Sequence, residues 1–156
     1  MNEVSTAGVE LRYAPESTAG TRPTSGFTKV VNIKSTPDLN PDPNLLDCTD
    51  LSVTDFKRYI PGLRDMGNAL GFGANLTSAF RTAWAAVVTA YETAKASQKA
   101  MWFEIMVPAV GSFFFAGAPV ALGLDAFDVD NVASITAKIV PEKIEGWGSS
   151  TALASN

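Results

Sequence analysis

The chain has 156 residues, a formal net charge of −4 and a single cysteine, with 46% apolar and 18% charged residues. This length and composition fit one globular domain that can bury a core without covalent staples, and an acidic chain with no basic run is not a reader of nucleic-acid backbone. Histidine is absent, which removes Ser-His-Asp and Cys-His catalysis and zinc–histidine sites; no catalytic, cofactor-binding or metal-ligating residue is expected, and the chain reads as a non-enzyme.

The N-terminal MNEVSTAGVEL lacks a basic segment followed by an apolar run and does not read as a signal peptide. Val9, Leu11 and Tyr13 alternate with Glu10 and Arg12, the period of a half-buried strand. Ala14 to Gly26 reads as a loop. Phe27 to Ser35 predicts a second strand, with Val31 and Ile33 on one face and Asn32 and Lys34 on the other. Pro37 to Pro43 follows, an extended loop stiffened by its prolines. Short strands are predicted at Leu45 to Leu51 and Val53 to Ile60, with Cys48 as a small buried hydrophobe. Pro61-Gly62 fits the centre of a type II turn. That turn poses a question, because Ile60 and Leu63 flank it where water should be.

Ala69 to Thr77 alternates again. Leu70, Phe72, Ala74 and Leu76 share one face, and Gly71 and Gly73 on the other mark close approach of a neighbour. A helix is predicted over about 78–98, capped by Thr77 or Ser78. Its apolar stripe is Phe80, Trp84, Val87, Val88 and Tyr91, and Lys95 and Lys99 suit its C-terminal end.

Trp102 to Val107 and Ser112 to Gly117 read as strands apolar on both sides, joined by a turn at Pro108 to Gly111. The uncharged run Ile105 to Leu124 is long enough to span a membrane. Its prolines and glycines and the absence of nearby basic flanks favour buried strands instead. Further strands are predicted at Val120 to Phe127 and Val132 to Val140. In the last, Ser134, Thr136 and Lys138 oppose Ala133, Ile135, Ala137 and Ile139. Asp125, Asp128 and Asp130 lack calcium-loop spacing and read as a solvated turn. Residues 146–156 read as a flexible C-terminal tail.

The sum is a mainly β (α+β) chain, a sandwich or barrel of about seven or eight strands with one flanking α-helix. Residues 1–145 form the single domain. Strands without a polar face need cover, from the helix and loops or from a neighbouring molecule.

Two segments, Asn32-Ile33-Lys34-Ser35-Thr36-Pro37-Asp38-Leu39 and Tyr59-Ile60-Pro61-Gly62-Leu63-Arg64-Asp65-Met66-Gly67, resemble the tail tube proteins of long non-contractile-tailed, lambda-like bacteriophages. The second half has the same order of parts: Trp102-Phe103-Glu104-Ile105 leading to Pro108, Gly111-Ser112-Phe113, Phe115-Ala116-Gly117, and Ile135-Thr136-Ala137-Lys138-Ile139. The turn after Pro108 lacks an aspartate expected there, and the stretch after Thr49 differs. The resemblance implies a structural virion protein of the tail, present in the host cytoplasm during assembly. Its partners would be itself, in stacked hexameric rings, and the initiator or tip, terminator and tape-measure proteins of the tail. Double-stranded DNA would pass through the hollow tube without specific binding, and no membrane or cofactor is implied. The long loop, about 36–59, would reach the next ring. Interface candidates are Pro37, Asp38, Leu39, Arg58, Tyr59, Ile60, Pro61, Gly62, Leu63, Arg64 and Asp65; Ser134 and Thr136 are candidates to face the lumen. A closed ring needs two different sticky surfaces on each subunit, and Ile60 and Leu63 would supply one, with Arg58, Arg64 and Asp65 as a polar rim. Other readings are a different ring-forming protein of the same fold, such as a tail terminator or secretion-tube component, or a monomeric β-sandwich binding module.

Overall fold

The computed structural model describes residues 3–151. In chain order the elements are β1 (Glu10–Pro15), β2 (Thr28–Lys29), β3 (Ile33–Ser35), β4 (Pro43–Asp47), β5 (Tyr59–Arg64), β6 (Leu70–Asn75), α1 (Ser78–Ala96), β7 (Met101–Val107), β8 (Gly111–Pro119) and β9 (Ser134–Gly148). They fall into two compact units, one made of the chain up to Pro37 and from Ala69 onward, the other of Asp38–Asn68.

The larger unit is mainly β. Its strands form one antiparallel sheet in the order β2-β1-β7-β8-β9-β6-β3, curled into a half-barrel with one helix. The two end strands, β2 and β3, are consecutive in sequence and joined through Val30–Asn32. The predicted single strand Phe27 to Ser35 is therefore two. Its first part pairs with β1, and its second with β6 at the other end of the sheet. Asn32, at φ 62°, makes the change of direction; asparagine tolerates this left-handed region better than most residues. Val31 is consequently exposed and does not share a core face with Ile33.

The core on the helix side is aromatic. Phe115 stacks on Phe103 at 5.4 Å and on Phe72 at 6.3 Å between centroids, and Leu11, Ala137 and Ile139 are buried on the same face. Helix α1 buries Phe80, Trp84, Val87 and Ala94, while Val88 and Tyr91 at the edge of the expected stripe are half-buried. Thr77 is the N-cap, its hydroxyl accepting the Phe80 N–H at 3.0 Å. The opposite face of the sheet carries a second apolar cluster of Ala14, Phe27, Trp102, Phe114 and Ala116. The Arg22 guanidinium lies 3.8 Å from the Phe114 centroid. Strands β7 and β8 are thus covered on both sides by their own chain. Their lack of a polar face does not call for a neighbour.

The uncharged run from Ile105 comprises the end of β7, its turn, and β8 with the residues after it. Among the described residues no helix is long and apolar enough to cross a membrane.

Two later elements of the larger unit also differ from the expectation. Val120 to Phe127 is not a strand. Val120 still donates to Lys138 O, but its own carbonyl accepts the Trp84 indole N–H at 2.8 Å. Farther along, the Asp125 carboxylate takes the Thr136 N–H at 2.9 Å, so a side chain occupies the place a continuing strand would need. Conversely, β9 runs through the expected start of the tail to Gly148, pairing Trp147 with Phe113, and the two rings meet edge-on at 5.8 Å. Of the remainder of the expected tail, residues 152–156 lie outside the described residues.

The smaller unit is the two-stranded sheet β4-β5 with its connection. Its strands replace the ones expected at Leu45 to Leu51 and Val53 to Ile60. The carboxylates of Asp47 and Asp50 accept the N–H groups of Thr49 and Ser52, each at 2.9 Å. These Asx turns divert the backbone from a ladder. Pro61-Gly62 is not a turn. Both residues lie within β5, with Pro61 opposite Leu45, and Gly62 lacks the positive φ that a type II turn requires. Proline is tolerated there because each strand of a two-stranded sheet has an outer edge that needs no N–H donor. Glycine is required because a Cβ at position 62 would lie 2.9 Å from Asn44 O.

Candidate functional site

The candidate interface residues divide between the two units. Pro37 ends the first segment of the larger unit, and Asp38, Leu39 and Arg58 to Asp65 belong to the smaller one. Within the smaller unit they do different things. Arg64 folds onto its own unit, Nε donating to Pro41 O at 2.7 Å and Nη2 to Asn40 Oδ1. Asp38 and Asp65 accept the N–H groups of Asn40 and Gly67. Three of the expected polar contacts therefore shape loops. The Arg58 main chain closes the end of the hairpin: its carbonyl accepts the Cys48 N–H at 2.9 Å, and its N–H donates to Thr49 Oγ1 at 2.8 Å. The Arg58 side chain forms no ion pair within 4.0 Å among the described residues.

The apolar members are in water. Leu63 is 89% exposed and Ile60 51%, with Tyr59 alongside. Residues the sequence reading did not single out join them: Leu45, Leu46, Leu51 and Phe56 are all exposed, Leu51 and Phe56 almost completely. A signal was present, since Leu51 stands between Asp50 and Ser52 and Phe56 between Asp55 and Lys57. Large apolar residues isolated among polar turn formers have no local core to enter. Cys48, expected to be buried, is exposed, with Sγ 3.4 Å from Arg58 O. Asp47 and Asp50 are both held below the ordinary carboxylate value. For Asp47 the causes are the backbone and side-chain hydrogen bonds from Thr49; for Asp50 they are those from Ser52, side chain first. The turns they anchor are thus charge-assisted.

Ser134 and Thr136 sit on the non-core face of β9, both half-buried. Lys34 Nζ donates to Ser134 Oγ. Gly71 and Gly73 lie opposite Lys138 and Thr136. A Cβ on Gly71 would come within 2.9 Å of the Thr136 methyl, and one on Gly73 would strike the Ser35 side chain, so the glycines do mark close approach. The result is a thin polar face of hydroxyls, glycine and two lysines, Lys34 and Lys138. A second exposed apolar surface lies in the loop after β8, where Leu124, Phe127, Val129 and Val132 alternate with Asp125, Asp128 and Asp130.

Comparison of the chain with protein-family models and with curated proteins finds no match.

Proposed function

We propose that this chain is a non-enzymatic structural subunit whose copies assemble into hexameric rings that stack as the tail tube of a long non-contractile phage tail. The observation that carries the reading is the Asp38–Asn68 unit, whose two strands leave Leu45, Leu46, Ile60 and Leu63 in water and whose connection leaves Leu51 and Phe56 there. A cluster of large apolar residues on a surface marks a protein contact, and strands with unpaired outer edges add to a neighbour's sheet. The sequence resemblance supplies the arrangement of the contact, ring upon ring. The polar face with Ser134 and Thr136 is assigned to the channel. The chain as a whole is acidic, at −4, and of the two lysines on this face Lys34 is tied to Ser134 Oγ, which limits the phosphate contacts offered to passing DNA.

Negative-stain microscopy of the concentrated pure protein tests this: rings or tubes are expected. The Ile60→Ala/Leu63→Ala double variant is expected to lose them. A wild-type protein that stays monodisperse and monomeric at high concentration would overturn the proposal in favour of a monomeric binding module. Assembly that stops at one ring would favour a terminator.

A further inference from the structure

At the end of β9 the chain crosses a buried charge cluster. Glu104 is fully buried and Arg12 is 7% exposed, although they stand opposite each other on β7 and β1. Such a pair ordinarily closes to a short charge-assisted contact, yet Arg12 Nη1 and Glu104 Oε1 are 3.5 Å apart. Thr151 stands between them. Its carbonyl accepts from Arg12 Nη1 at 2.7 Å, and its N–H and hydroxyl both donate to the Glu104 carboxylate. Ser112 Oγ, itself fully buried, donates to Glu104 at 2.7 Å and is in hydrogen-bond contact with Ser150 Oγ at 2.9 Å. The rest of the Arg12 fork is held by Glu10 Oε2 at 2.8 and 3.0 Å. The segment Ser149–Thr151 brings no large apolar side chain to this seat, and Ser149 and Ser150 are exposed. It leaves the sheet after Gly148, two residues beyond Gly146, whose φ is 104°.

We propose that Arg12, Glu104 and Ser112 form a peptide socket, specific for an extended segment with a hydroxyl side chain and a free main-chain N–H and carbonyl. The chain's own Ser150–Thr151 occupies it as a removable strap. Removal is tolerable because the two charges have an alternative: with Thr151 gone, Arg12 and Glu104 can draw in the long 3.5 Å contact they already make and satisfy each other more fully. A buried carboxylate without that alternative would hold its strap permanently. The socket thus has two satisfied states, strap seated over a long ion pair or strap released and the pair shortened, which is the condition for a switch.

The test uses the full chain and a fluorescent peptide with the sequence of residues 148–156. Thr151→Pro removes the N–H donor and weakens the seated strap in cis. Its chain is expected to bind the peptide at least about tenfold more tightly than wild type does. Saturable binding should vanish when Arg12→Met and Glu104→Met are added, a replacement by apolar side chains of similar length that tends to preserve the fold. A peptide with valine at the position of Thr151 should bind weakly to every chain. Equal affinity for wild type and Thr151→Pro, no binding to either, or undiminished binding after the Met substitutions would each overturn the proposal, with circular dichroism showing that the variants remain folded.

Discussion

Gly117 shows at the scale of one residue how tightly the sheet is drawn. A Cβ there would lie 2.6 Å from the Ile139 side chain and 2.8 Å from Val140 O. Because one of these atoms is main chain, the clash has no flexible end to absorb it. Gly117→Ala is expected to cost about 1–3 kcal/mol, read as a lower midpoint in chemical denaturation. Glu10 makes a prediction of another kind. Burial pushes its pKa up, but hydrogen bonds from Arg12 and Lys29, and their charges, outweigh it and hold the group below the ordinary value of 4.5. A carboxyl with a lowered folded pKa contributes stability that is present above its unfolded pKa and lost as pH falls through the folded one. Stability should therefore drop as the solution is acidified below about 4.5, and Glu10→Gln should flatten that part of the profile. The paired glycines of β6 were legible in the sequence, because alternation alone puts Gly71 and Gly73 on one face. Cys48 was not: its exposure depends on Asx turns that end β4 one residue earlier.

Among the elements, α1 was the most readable, since a capping threonine and an apolar stripe are both local signals. Thr77 serves two segments, capping α1 and accepting the Asn32 side-chain amide at 2.7 Å. Thr77→Ala is expected to cost about 1 kcal/mol for the cap and to loosen the β2–β3 link as well, seen as faster amide exchange around Asn32. The elements misread from sequence share a cause. Pro61-Gly62 has turn composition and Gly146-Trp147-Gly148 has tail composition, yet both are strands, because a partner distant in sequence supplies the ladder: Leu45 for the first, Phe113 for the second. Val120 to Phe127 fails in the opposite way, with strand composition but its ladder position on β9 taken by Asp125. Composition reports what a segment can do, whereas pairing depends on which edge is free.

For the whole molecule, the residues that hold the fold and those proposed to associate fall in different units. The core lies in the curled sheet and under α1, and the Asp38–Asn68 unit holds its apolar side chains in water. Leu63→Asp is thus expected to leave the thermal midpoint of the dilute protein nearly unchanged, since exposed substitutions usually stay within about 0.5 kcal/mol. The same substitution should abolish higher-order species in light scattering. A variant that loses assembly and folding together would place Leu63 in the core instead. The two-sided apolar strands β7 and β8 looked from sequence like a reason to associate. Phe27, Arg22 and the helix satisfy them internally, and the case for self-association moves to the hairpin.

The joining of the sheet's first and last strands through Val30–Asn32 makes that short connection a seam. Because Val31 in it is exposed, a protease that nicks the native protein there would release both margins together. Such a cut should abolish cooperative unfolding, whereas a nick in the exposed turns between β4 and β5 should leave the melt of the sheet intact.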